Sequence, residues 1–276
     1  MTVIAPASRT ATGRPLVDEL KEQLEKLPAS RAAALRVVQV VDDPATGAAD
    51  VAKAASADPA LTARILRVAN SAYYGLSGRI GTPAFAVTVV GFATVRSLAA
   101  LSASGLAAGS TTPEFWLRAA TVASGSSLLA RRVGADAPEA FCAGLLHDLG
   151  TALLRQHAPE EHDEILTRAA AGEPLLDLEQ EAYGGTHASL CASVLAGWRF
   201  PDDLCDAIGK HHEVPVRSAP PVRRALQGAI ALAPDDFSGI DVGRALLAAH
   251  VAPDELADLQ RQVAEAAEQL AAAFQA

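Results

Sequence analysis

DPALTARILRVANSAYYG, residues 58–75, opens on a helix start and closes on a helix stop. The carboxylate of Asp58 can accept a bond from an orphan amide of the first turn, and Pro59 fits the first helical position, where its missing N–H costs nothing. Leu61, Ile65, Val68 and Ala69 then recur at three- and four-residue spacing, with Arg64 and Arg67 off that stripe. Asn70–Ser71 ends the run before Tyr73–Tyr74–Gly75. The stretch reads as an amphipathic helix with both ends written into it.

The same punctuation extends outward. Thr82–Pro83 opens a helix through Phe85, Ala86, Val89 and Val90 that closes at Gly91, and another follows from Thr94 to about Ser104. Upstream, Leu16, Leu20 and Leu24 mark a helix ending near Leu27–Pro28. Ser30 is placed to cap a second, carrying Ala34, Leu35, Val38 and Val41, and a short third runs through Val51, Ala54 and Ala55. Gly109–Pro113 is the clearest internal boundary. Beyond it Thr112–Pro113 opens a long helix to Val133 with Gly134 as its stop, and Pro138 opens one through Phe141, Leu145, Leu149 and Leu153. Further helices fall at roughly Glu160–Ala171, Leu175–Tyr183, His187–Trp198, Asp202–His212, Val222–Leu232, Ile240–Ala249 and Pro253–Phe274. No segment alternates with period two. The expectation is an all-α fold of two packed helical parts, 15–108 and 109–276, behind a disordered leader, 1–14.

Composition agrees with this. Of 276 residues half are hydrophobic but only 4% aromatic, so Ala, Leu and Val must fill the core. A formal charge of −9 argues against a nucleic-acid partner and against an anionic membrane surface, since both need positive charge. The pairs Arg131–Arg132 and Arg223–Arg224 read as solvated helix faces. Cys142, Cys191 and Cys205 show neither metal nor disulfide spacing and read as buried free thiols. With no signal pattern at the start and no membrane-length apolar run, the expected location is the cytoplasm.

Seven histidines carry the chemistry that is readable. His157 and His162 lie in the charged stretch QHAPEEHDE and read as solvated surface, and His250 as incidental. His147–Asp148 sits in apolar GLLHDLG, where a charged dyad is costly without partners. His187 begins a helix and His211–His212 ends one. Imidazoles and a carboxylate are ligands for iron, manganese or zinc, and a metal so held would activate water for phosphoester hydrolysis. A helix-to-helix hydrogen-bond network uses the same residues equally well.

These segments resemble the HDOD family, relatives of the HD and HD-GYP phosphohydrolases. The matching text is LPAS, VVQVVDDP, DPALTARILRVANSAYYG, VVG and VRSL in the first part. In the second it is FWLRAATVAS, FCAGLLHDLG, the helix from His187, and AIGKHHEV. Coverage runs from about residue 15 to 250. The resemblance implies an all-α fold with an HD-like second part, and a regulatory role in bacterial signal transduction. HD-GYP relatives cleave cyclic di-GMP with a metal cluster held by histidines and aspartates. Carried over residue by residue, the upstream histidine falls at Arg118, the dyad at His147–Asp148, and the lysine of HDxGK at Thr151. The next histidine is His187 and the pair is His211–His212. The last aspartate has no counterpart between Arg224 and Pro234, and no GYP follows Glu213.

A permanent guanidinium charge at Arg118 opposes a cation and offers Asp148 a partner. The expected function is therefore a non-catalytic signalling module, a pseudoenzyme without cofactor, acting on other signalling proteins. If an ion binds, a single iron, manganese or zinc on His147, Asp148, His187 and His211 is implied. Two alternatives stay open. One is a metal-dependent phosphohydrolase or phosphodiesterase using His147, Asp148, His187, His211 and His212. The other is a nucleotide-binding pseudoenzyme, with Arg118 and Lys210 on phosphate. Asn70, Ser71, Tyr73 and Tyr74 form a candidate interaction surface, or else a helix stop that packs the two parts together.

Overall fold

Asp58 Oδ1 accepts the Leu61 amide at 3.0 Å, and Thr82, Thr112, Asp136 and Thr186 cap their helices in the same way. The computed structural model describes residues 15–25, 29–76, 78–106, 111–233 and 239–275, so the expected leader 1–14 lies outside the described residues. The first helices are α1 (Leu16–Glu25), α2 (Ala29–Val41), α3 (Ala48–Ala55) and α4 (Pro59–Ala69). After a 3-10 turn at Ala72–Tyr74 come α5 (Pro83–Val90), α6 (Phe92–Ala103) and the long α7 (Pro113–Val133). Next are α8 (Ala137–Leu146), α9 (Leu149–His157), α10 (Pro159–Ala170), α11 (Leu175–Tyr183) and α12 (His187–Gly197). The chain ends with α13 (Asp202–Gly209), α14 (Pro221–Leu232), α15 (Val242–Ala248) and α16 (Leu256–Gln275). The fold is all-α; no strand occurs among the described residues.

Helices α2 to α6 pack on one another, while α7 forms the axis of the second part, flanked by α8, α14 and α16. Glycine sets the closeness of that packing. A Cβ at Gly144 would stand 2.5 Å from the Val122 carbonyl oxygen, so α8 rests directly on the backbone of α7. Gly150 plays the same part between α9 and the start of α12, since a Cβ there would collide with the His187 carbonyl. One apolar core runs from Val17 to Phe274 through both parts. Helix α1 packs on α12, and α16 reaches back to α4 and the Ala72–Tyr74 turn.

Several boundaries differ from the expected ones. The helix predicted through Phe141, Leu145, Leu149 and Leu153 is two helices, broken at His147–Asp148. His147 Nδ1 donates to the Gly144 carbonyl at 2.7 Å, the acceptor that a continuing helix would offer to the amide of Asp148. Helix α13 ends at Gly209, before the histidine pair, for a related reason: His211 Nδ1 donates to the Ile208 carbonyl at 2.6 Å. Helix α2 begins at Ala29, so Ser30 is inside it rather than capping it.

Candidate functional site

Two helix ends and one helix start bring the histidines together. His147 closes α8, His211–His212 follow α13, and His187 opens α12 behind the reciprocal cap of Thr186 and Ser189. Ring centroids lie 5.6 Å apart for His147 and His211, 5.4 Å for His187 and His211, and 4.0 Å for His211 and His212. His147, His187 and His211 are all buried.

Hydrogen bonds fix which nitrogen each ring turns inward. A carbonyl can only accept, so the Nδ1 atoms of His147 and His211 carry the protons and their Nε2 atoms carry lone pairs. His187 Nδ1 lies 2.8 Å from Glu179 Oε2 and 2.9 Å from Oε1, and the His187 amide donates to the same carboxylate at 2.9 Å. His187 Nε2 and His212 Nε2 then meet at 2.9 Å, a distance that requires a proton between them.

Arg118 Nε donates to Asp148 Oδ2 at 2.7 Å, the pairing that the sequence suggested. His147 Nε2 lies 3.1 Å from that oxygen but without hydrogen-bond alignment, and this buried nitrogen has no hydrogen-bond partner. Burial disfavours the Asp148 carboxylate, yet the His147 ring beside it and the Arg118 guanidinium outweigh that and hold its pKa well below the usual range. Burial likewise opposes charge on His187, but the hydrogen bond and charge of Glu179 raise its pKa. His211 is pushed the other way, by burial and then by His212, His187 and His147, and stays neutral.

Two contributors were not foreseen. Glu179 is buried and lies on another helix, eight residues ahead of its partner. Its sequence signal is a carboxylate beside Leu178 and one turn before Tyr183, both apolar contacts of the core. Gln227 occupies α14, where no acid was found, and its amide donates to the carbonyls of His211 at 3.2 Å and Glu213 at 2.8 Å. It thereby ties the histidine turn to α14.

The remaining candidates are placed as follows. Thr151 is half-buried on α9, and Lys210 is exposed and paired with Asp206. Asn70 spends its amide on Leu66 O, Ile80 O and Ile80 N, and Ser71 is buried with its hydroxyl on Val68 O. Tyr73 stacks toward Phe141 of α8, with centroids 6.3 Å apart, and Tyr74 is only partly exposed. The segment is therefore engaged in packing rather than presented as a polar surface. His162 is not solvated as expected: it is buried with neither ring nitrogen bonded, because α10 turns it toward α11. His250 is not incidental, since its ring joins the Arg132 carbonyl at 2.9 Å to the Arg224 guanidinium at 3.0 Å. Arg224 itself is buried, with Nε on Ala248 O, and so does not belong to a solvated face. The three cysteines are free and buried.

Chemically, the arrangement offers inward-facing imidazoles. The ligating atoms of His187, His211 and His212 lie within 4.8 Å of one another. With the orphaned His147 Nε2 they fit a nitrogen-bound transition metal, the outer nitrogens of His147, His187 and His211 being already held as metal-ligating histidines require. They do not fit a two-cation phosphohydrolase centre, because Asp148 is taken by Arg118 and α14 supplies an amide. Beside Arg118 a groove of about 660 Å³ runs between α7, α14 and α16, lined by Leu117, Thr121, Leu232, Val263 and Ala267.

Residues 27–214 match the HDOD domain. A "putative phosphohydrolase" from Shewanella amazonensis SB2B is 28% identical, with a TM-score of 0.68 and coverage of 92% of this chain and 97% of that one. An HDOD domain protein with unknown function from Geobacter sulfurreducens shares the fold at 21% identity, TM-score 0.60, over 91% of this chain and 98% of that one. An uncharacterized protein of Treponema pallidum (strain Nichols) is 25% identical over 208 residues, 72% of this chain, and the chain spans 40% of that curated relative's length. Among the described residues no single helix is long and apolar enough to cross a membrane.

Proposed function

The chain belongs to the HDOD domain family, and from that membership we propose that it works as a non-catalytic bacterial signalling module, in the cytoplasm, through contacts with other signalling proteins. One observation carries the reading. A guanidinium stands on the carboxylate of the His147–Asp148 dyad, with Arg118 Nε 2.7 Å from Asp148 Oδ2. Hydrolysis of a phosphodiester needs a metal to polarise the phosphate and acidify water, and a fixed positive charge at that oxygen opposes the ion electrostatically. Gln227 supports the same reading, because an amide in α14 adds no negative charge to balance a second cation. Purified protein given cyclic di-GMP and a chromogenic phosphodiester with Mn²⁺ or Fe²⁺ is expected to show no turnover above the metal-only control. Turnover that disappears on His147→Ala would refute the reading.

A second reading rests on the histidine cluster and on the name of the Shewanella relative. In it the chain is a metal-dependent phosphohydrolase, or a pseudoenzyme that keeps a nucleotide in the groove beside Arg118. Calorimetric titration with cyclic dinucleotides separates these from the first reading: saturable binding without turnover selects the nucleotide-binding pseudoenzyme. Lys210, paired with Asp206 on the exposed side of α13, is a weaker candidate for phosphate than Arg118.

A further inference from the structure

We infer that Arg64 and Arg67, half-buried on α4, form a binding site for a dianionic phosphoryl group, separate from the histidine cleft. The inference goes beyond the signalling reading and holds whether or not that cleft takes an ion or a nucleotide.

Among the described residues Arg64, Arg67, Arg96 and Arg223 each bury an Nε that has no hydrogen-bond partner. Arg96 and Arg223 set Nη1 on carboxylates, Asp42 at 2.8 Å and Glu213 at 2.7 Å. Arg64 and Arg67 make no ion pair or side-chain hydrogen bond among the described residues. Asp58 attracts Arg64 through space, but its oxygens are already used, Oδ1 by the Leu61 amide and Oδ2 by Ser102 Oγ. Three residues apart on one helix, the two guanidiniums share a face, their Cβ atoms about 5–6 Å apart. Burial, and then the charge of Arg67, weigh against the charged form of Arg64, although the chain as a whole carries a formal charge of −9. An anion seated between the pair removes that conflict.

The donors decide which anion. Arg64 lies over the Trp116 ring, 5.5 Å from its centroid, and Trp116 is itself buried against Phe115 and Phe274. Stacking fixes the guanidinium plane and leaves its edge N–H groups to donate. Two planar forks on one helix face suit the several oxygens of a phosphoryl group, and two positive charges match its dianion better than a lone carboxylate. Both residues keep part of their surface open to solvent, so the group enters from outside. Trp116 and Arg118 point about 200° apart around α7, which keeps this site clear of the Arg118–Asp148 pair. A phosphorylated side chain of a partner and a free phosphomonoester present the same phosphoryl chemistry, and the test separates them.

The test titrates the full chain, at constant ionic strength slightly above neutral pH, with sodium phosphate, O-phosphoserine, a short peptide centred on phosphoserine, and acetate. Binding is read by calorimetry and by Trp116 emission in a Trp198→Phe background, which leaves Trp116 as the one indole. Phosphate is expected to saturate one site per chain, to shift that emission, and to bind at least about tenfold tighter than acetate. Arg64→Gln and Arg67→Gln should each weaken phosphate by at least about tenfold, the loss expected for charge-assisted bonds, with folding checked by circular dichroism. Arg67→Lys, which keeps the charge without the fork, should recover part of that loss. Arg79→Gln, which removes an exposed charge elsewhere, should bind as the parent does. A phosphopeptide held more tightly than O-phosphoserine assigns the site to a phosphorylated partner, and one held no more tightly assigns it to small phosphomonoesters. Absent saturable phosphate binding, binding that survives both glutamine substitutions, an equal loss in Arg79→Gln, or acetate bound as tightly as phosphate would each overturn the assignment.

Discussion

At Asp148 two side chains compete for one oxygen, and the guanidinium has the aligned bond. Neither partner is fully buried, the side chains being 27% and 14% exposed, so the pair is worth less than a sealed ion pair. Arg118→Ala is expected to cost about 2 kcal/mol by leaving the carboxylate without its charge-assisted bond, as urea unfolding will show. His162 supplies a pH dependence. Burial lowers its pKa from 6.5, so the folded state holds it neutral while the unfolded chain protonates it below that value. Its contribution is thus fully present above pH 6.5 and is lost as pH falls toward the depressed folded value. Between pH 7.5 and 5 His162 and His211 pull the urea midpoint down while His187, whose pKa is raised, pushes it up, so His162→Phe should shift the midpoint's change over that window in the stabilising direction. His147, Asp148, His187 and the pair were legible because a polar dyad in an apolar run stands out. Glu179 and Gln227 were not, because their partners come from other helices and spacing along one helix carries no trace of that.

Helix starts were readable and some helix ends were not. Asp58, Thr82 and Thr112 announce themselves by residue type, and the structure places each at its cap. Asp58 does a second job, accepting Ser102 Oγ at 2.8 Å and so joining α4 to α6. Asp58→Ala should therefore cost about 1–2 kcal/mol, the upper part of the capping range, and more than Thr82→Ala, whose bond is 3.4 Å long. Comparing the two variants' denaturation midpoints tests the ranking. The break at His147–Asp148 was invisible because Leu149 and Leu153 keep the apolar stripe in phase across it. What ends α8 is a ring nitrogen competing for a carbonyl, a choice that periodicity does not encode.

On the scale of the whole molecule, two helical parts were expected with a boundary near residue 109. The core is continuous across it, and helices from both ends of the described chain cross over: α1 to α12 and α16 to α4. Long-range crossings of this kind depend on which apolar faces are complementary, which composition does not specify. Phe274 is fully buried near the end of α16, its ring 5.9 Å from that of Trp116 on α7. Phe274→Ala should destabilise by about 3–5 kcal/mol, and fluorescence and far-ultraviolet dichroism should still report a single coincident transition. Two separate transitions would mean that the parts fold independently.

His147 and His211 each fold back onto the third carbonyl before them, so each imidazole is aimed by the main chain and not by surrounding side chains. The direction of the cleft's lone pairs is thus a property of two corners in the polypeptide path. Substitutions around such corners leave the rings aimed as they are, so long as the two turns themselves keep their path.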